Sequence, residues 1–177
     1  MKKIIVIVFC ITALIFTGTA FAKQVEFLNG TIDILEGWLY KTVYGNGGDS
    51  VFFVYLPDYD NILLAPSDSK GFIVQSIPNN EGYKSSEEAA EAMAKDTAKK
   101  SRRNDIVGMA EKCDNGAYYI GIEKGKNVYF YYIMLSKDSR SIYLAHAGYV
   151  VGKPYKNATE IQNMIESIKW KFETQSK

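Results

Sequence analysis

Beyond residue 24 the chain sets out in short runs of β-branched and aromatic residues: Val25 to Leu28, Thr31 to Leu35, Trp38 to Tyr44, Val51 to Leu56 and Phe72 to Ile77. Runs of this length and composition predict strands. The cluster Gly45-Asn46-Gly47-Gly48-Asp49-Ser50 breaks them. Between the last two lies PDYDNILLAPSDS, residues 57–69, where a further short strand is expected at Ile62 to Ala65.

The apolar period then changes. In SSEEAAEAMAKDTAKK, Ser85 and Glu88 stand at capping-box spacing, and Ala90, Met93, Ala94, Thr97 and Ala98 recur at helical intervals. Acid at the start and Lys99, Lys100, Arg102 and Arg103 at the end complement a helix dipole, which explains the basic KKSRR more simply than a phosphate-binding patch. Four more strands are expected at Ile106 to Cys113, Ala117 to Ile122, Val128 to Leu135 and Ser141 to Val150. A closing helix follows in NATEIQNMIESI, capped by Asn157, with Ala158, Ile161, Met164, Ile165 and Ile168 as its apolar stripe. Trp170 and Phe172 then suggest a short edge segment.

Residues 126–150 concentrate aromatic side chains (Tyr129, Phe130, Tyr131, Tyr132, Tyr143, Tyr149) and the only histidine, His146. The turn sequences propose a register for them. A two-residue Asn115-Gly116 turn sets Cys113 opposite Tyr118. Centring the next turns on Gly125 and Asp138 sets Tyr118 opposite Tyr132, and Tyr132 opposite Leu144. One face would carry Tyr118, Ile120, Ile122, Val128, Phe130, Tyr132, Met134, Ile142, Leu144 and His146, and suit the isoleucine-rich closing helix. The other would carry Tyr119, Tyr129, Tyr131, Ile133, Tyr143 and Tyr149 among Ala117, Gly121, Ala145 and Ala147, and suit the alanine-faced helix. Two helices for two apolar faces predict an α+β fold, a three-layer α/β/α sandwich with an antiparallel sheet flanked by helices. Most of the tyrosines would then be interior.

The first residues, MKKIIVIVFCITALIFTGTAFAKQ, change the picture of where the domain begins. A basic start, an apolar run shorter than a membrane span and an Ala20-Phe21-Ala22 end are the three parts of a secretory signal peptide. The expected organisation is a signal peptide at 1–22 and one α+β domain at 23–177, periplasmic or secreted, with no membrane span after cleavage. Losing Lys2 and Lys3 moves the formal charge from +1 to −1. A balance so near neutral gives no overall case for nucleic acid or an anionic membrane as partner. Cys10 leaves with the signal, so Cys113 is the lone mature cysteine: a buried thiol or, alternatively, one that pairs between molecules or is reactive.

Candidate chemistry is sparse. Cys113 and His146 could form a thiol–imidazole pair, but the proposed register sets them on one face three strands apart, roughly 14 Å at the usual strand spacing. Two His or Cys residues cannot build a zinc site, and Asp58 and Asp60 in PDYDN fit turn residues rather than a calcium loop. No catalytic, cofactor or metal residues are assigned, and no cofactor is expected.

The leading block ending in IDILEGW, the SSEEAAEAMA helix, the NGAYY hairpin and the final ATEIQNMIESIKW resemble the PsbP-like fold superfamily, particularly DcrB-type bacterial envelope proteins, over Val25 to Phe172. Its usual proline-bearing motif reads Leu35-Glu36-Gly37-Trp38 here. The resemblance implies an α/β/α sandwich and a non-enzymatic binder or accessory factor with no shared catalytic motif. The expected function is a binding or accessory protein acting on another protein, in toxin neutralisation or envelope assembly. Its candidate contacts are Tyr44, Tyr55, Asp58, Tyr59, Asp60, Tyr83 and Tyr155. The alternatives are a small-ligand or lipid carrier and a hydrolase using His146.

Overall fold

A computed structural model describes residues 22–27, 30–44, 50–57, 70–150 and 156–171. Among these residues eleven strands and two helices follow in the order β1 (Ala22–Phe27), β2 (Gly30–Leu35), β3 (Leu39–Tyr44), β4 (Ser50–Tyr55), β5 (Gly71–Pro78), α1 (Ser86–Lys100), β6 (Ile106–Val107), β7 (Glu111–Lys112), β8 (Tyr118–Lys124), β9 (Asn127–Leu135), β10 (Ser141–Val150), α2 (Lys156–Glu166) and β11 (Lys169–Trp170). An antiparallel sheet of eight strands runs β3-β4-β5-β10-β9-β8-β6, with β7 also paired to β8. A second antiparallel sheet of three strands runs β1-β2-β11. The strand expected at Ile62 to Ala65 and the ring of Phe172 lie outside the described residues.

The three-layer α/β/α sandwich is not what forms. Strands make up 51% of the described residues and helices 20%, so this is a β-rich fold with two helices. The reason lies in the first two strands. Val25, Phe27, Ile32 and Ile34 are buried and give the small sheet an apolar face of its own. That face packs with Phe52, Val54, Phe72, Val74 and Tyr132 of the large sheet and with Ile161, Met164 and Ile165 of α2 in one core. A sheet and a helix together cover this side, where a helix alone was expected.

The opposite side holds a second core. Ala89 and Ala90 of α1 meet Ile120, Ile122, Ile133, Leu135, Ile142 and Leu144 there. The two helices therefore sit on the reverse faces from those expected, with the alanine-bearing helix against the more aliphatic face. Helix α1 begins as its sequence says. Ser85 adopts an extended conformation and its hydroxyl accepts from the Glu88 amide at 3.0 Å, while the Glu88 carboxylate accepts from the Lys84 amide at 2.7 Å. Ser86 then fixes the helix to the sheet, its hydroxyl accepting from the Leu135 amide at 2.9 Å.

Each of the three hairpin registers differs by one residue from the expectation. Asp114-Asn115-Gly116 is a three-residue turn, with Gly116 at φ +82° and Cys113 paired to Ala117. Gly125-Lys126 is a two-residue turn with Gly125 at φ +61°. Residues 137–140 form a four-residue turn in which Ser139 takes φ +56°. Tyr118 is consequently opposite Ile133, and Tyr132 opposite Ala145. A one-residue slip turns a strand over. The second and third slips cancel, so β8 and β10 keep their expected relation while β9 is reversed between them; the first slip turns β7 and Cys113 over relative to β8. Phe130 and Tyr132 join the α2 side; Tyr129, Tyr131 and Ile133 join the α1 side.

The aromatic stretch is chiefly interior packing. Tyr132 is 1% exposed, its ring 5.3 Å from that of Tyr119, and Tyr143 stacks on Trp170 at 5.7 Å. The small sheet and α2 are tied down by polar contacts at their margins. The Trp38 indole donates to Glu160 at 2.9 Å, the Asp33 amide to the Ser167 hydroxyl at 3.0 Å, and the Asn115 amide to the Ile165 carbonyl at 3.2 Å.

Candidate functional site

The residues with chemical potential do not converge. His146 lies in β10 on the α1 side, whereas Cys113 packs against the core on the α2 side, so they occupy opposite faces of the sheet. The His146 ring stacks on Tyr131 at 5.7 Å and 17°. Burial pushes its pKa down to about 4, leaving the imidazole neutral at ordinary pH. Among the described residues no hydroxyl, thiol or carboxylate is hydrogen-bonded to it, so no partner stands in place for a nucleophilic pair. Cys113 is half-buried in a cleft of about 450 Å³ with Glu111, Asp114, Tyr119 and Glu166. Burial, and then the charges of Glu166, Asp114 and Glu111, push its thiol up to about 11. A thiol so protonated is a poor nucleophile. Among the described residues no three His, Cys, Asp or Glu side chains gather as a metal site would require.

The candidate contact residues are scattered. Tyr44 ends β3 and is 75% exposed. Tyr55 ends β4 opposite Leu39, at the far end of the same strand pair and on the other face. Tyr83 is half-buried in the lead-in to α1, where it packs against the second core. Its amide donates to Asn79, whose side chain in turn donates to the carbonyls of Tyr83 and Ser139. Asp58, Tyr59, Asp60 and Tyr155 lie outside the described residues.

Exposed apolar surface collects instead on β3. Leu39, Tyr40, Val43 and Tyr44 are all exposed, and β3 terminates the strand order, paired on one side only by β4 among the described residues. Leu39, Lys41 and Val43 share the face of Tyr55; Tyr40, Thr42 and Tyr44 share the other. Lys41 leans back, its Nζ 5.9 Å from the Phe53 ring. The run LYKTVY therefore presents one edge that no described strand pairs, flanked by aromatic and branched side chains on both faces. Of this surface only Tyr44 was among the expected contacts. The signal for the rest was Lys41, since a lysine in an otherwise apolar strand marks a sheet edge.

A groove of about 350 Å³ opens where the start of α1 leaves the sheet, lined by Ile77, Tyr83, Met93, Ile133, Ile142 and Leu144. Among the described residues no helix is long and apolar enough to cross a membrane. No family model matches the chain and no curated protein aligns with it, so the likeness to PsbP-like proteins stands on the residues quoted for it alone.

Proposed function

We propose that the chain is a non-catalytic binding protein, exported and freed of residues 1–22, that acts by contact with another protein through β3. The observation that carries this is the concentration of Leu39, Tyr40, Val43 and Tyr44 on an edge strand. Such an edge accepts a partner strand: main-chain hydrogen bonds supply affinity, and alternate side chains supply selectivity. The fitting partner is an extended polypeptide segment, apolar at alternate positions, with an acid opposite Lys41. The accessory roles implied by the PsbP-like resemblance agree with a protein that binds rather than catalyses.

A photo-crosslinking residue placed at Tyr44 in cells tests the reading. It should join the chain to one other polypeptide, and a second substitution, Val43→Asp, should abolish the adduct. A crosslinker at exposed Lys112 serves as the control. No adduct at position 44, or the same adducts from both positions, overturns the proposal.

The groove beside α1 favours a second reading, carriage of a small apolar ligand. Its volume falls at the low end of ligand pockets, and its lining is mostly aliphatic. Native mass spectrometry of the purified chain should then show bound mass that Met93→Trp displaces. A chain that carries no such mass removes the carrier reading.

A further inference from the structure

The basic residues after α1 are not accounted for by the helix they follow. Helix α1 ends at Lys100 with Ser101 as its cap, so Lys99 and Lys100 lie in the last turn while Arg102 and Arg103 lie beyond it. The helix dipole is felt only within that turn. Lys100 is already engaged, 2.6 Å from Asp96. Moreover, Lys124 approaches from elsewhere, the β8–β9 hairpin. Together Lys100, Arg102, Arg103 and Lys124 line a groove of about 720 Å³.

One acid lines the groove, Asp105, and its carboxylate is occupied in the local turn, accepting from the Arg102 amide at 2.9 Å. The guanidinium groups of Arg102 and Arg103 and the ammonium of Lys124 form no ion pair with any described residue. Like charges gathered around a concavity repel one another, and the repulsion is relieved when an anion enters. Asn104, Asn127 and the half-buried Tyr129 supply polar and ring contacts for an uncharged portion of the ligand.

We propose that this groove binds a phosphate-bearing group. Two guanidinium forks suit bidentate contact with phosphate oxygens, and the lysine adds a point charge. The volume lies in the range of small-ligand sites and exceeds what a bare oxyanion fills. A soluble phosphorylated compound and the head group of an anionic lipid offer the same chemistry. The site is remote in sequence from β3 and does not depend on the binding role assigned to that edge.

Two probes separate the sources. Pyrophosphate is titrated at about 50 mM salt while the amide resonances of residues 100–105 and 124–129 are followed, since screening weakens such contacts at higher ionic strength. Vesicles of phosphatidylglycerol mixed with phosphatidylcholine are sedimented with the chain, against vesicles of phosphatidylcholine alone. Shifts confined to the two segments assign a soluble ligand; retention on the anionic vesicles assigns a head group. In either case Arg103→Gln with Lys124→Gln should weaken binding by at least about tenfold, a loss of about 1.4 kcal/mol. Lys124→Arg should preserve binding, and Lys95→Gln, on an exposed turn of α1, should leave it unchanged. Neither shifts nor retention overturns the proposal, as does an equal loss on Lys95→Gln, which would reduce the effect to general charge.

Discussion

Strands β9 (NVYFYYIML) and β3 (LYKTVY) are both aromatic and β-branched members of one sheet, yet β9 buries Val128, Tyr132, Ile133 and Leu135 while β3 leaves Leu39, Tyr40, Val43 and Tyr44 exposed. The difference is one of position. β9 lies between β8 and β10, with α1 on one face and the core shared by α2 and the small sheet on the other. β3 has β4 alone. Aromatic content therefore does not separate filling from contact surface in this chain. The number of covering layers does, and the one charged residue in β3, Lys41, is the sequence's only local mark of it.

Truncating one ring from each strand should break or uphold that contrast most forcefully. Tyr132→Ala empties a site that is 1% exposed and should cost about 3–5 kcal/mol in urea unfolding. Tyr44→Ala, at a site 75% exposed, should stay within about 0.5 kcal/mol. Comparable costs would mean that β3 is covered after all.

The next effect sharpens the account of the covered region through pH. His146 titrates at about 4 in the folded chain against an ordinary 6.5, so between those values the unfolded chain binds the extra proton. Stability should be unaffected by this group above about pH 6.5 and should fall by about 3 kcal/mol as the pH drops to about 4. His146→Phe keeps a ring against Tyr131 and should flatten that limb in urea titrations at pH 7 and pH 4.5. A slope unchanged by the substitution would place the acid sensitivity elsewhere. Smallest is the cap that starts α1 over β9. Ser85→Ala should cost about 1 kcal/mol, read as a lower midpoint with unchanged urea dependence.

What the residues reveal on their own follows how local the determining physics is. The start of α1 was legible because Ser85 and Glu88 act within one turn. The hairpin strands were legible from their β-branched and aromatic runs. Their register was not, because Asn115-Gly116 closes a three-residue turn as readily as a two-residue one, and Ser139 adopts a left-handed conformation that its identity does not announce. The small sheet stayed hidden for a different reason. Nothing local in β1 or β2 says that β11, more than a hundred residues on, will pair with Gly30 and Thr31. Gly30 permits that approach, since a Cβ there would lie 2.4 Å from the Lys169 carbonyl oxygen. At the candidate sites, Tyr44 was foreseeable as a tyrosine next to a glycine-rich break. The union of Arg102 and Arg103 with Lys124 needed three dimensions.

The pairing of β5 with β10 joins two meanders, each made of neighbouring strands, across the whole of α1 and the strands that follow it. Either meander can assemble from short-range closures, but their union must wait for distant segments to meet, and closures of that kind are slow. Until they meet, both β5 and β10 are raw borders able to zip onto the wrong chain. Within the large sheet, the joint at its middle rather than its rim is thus the late closure, and a newly made molecule is most exposed before it forms.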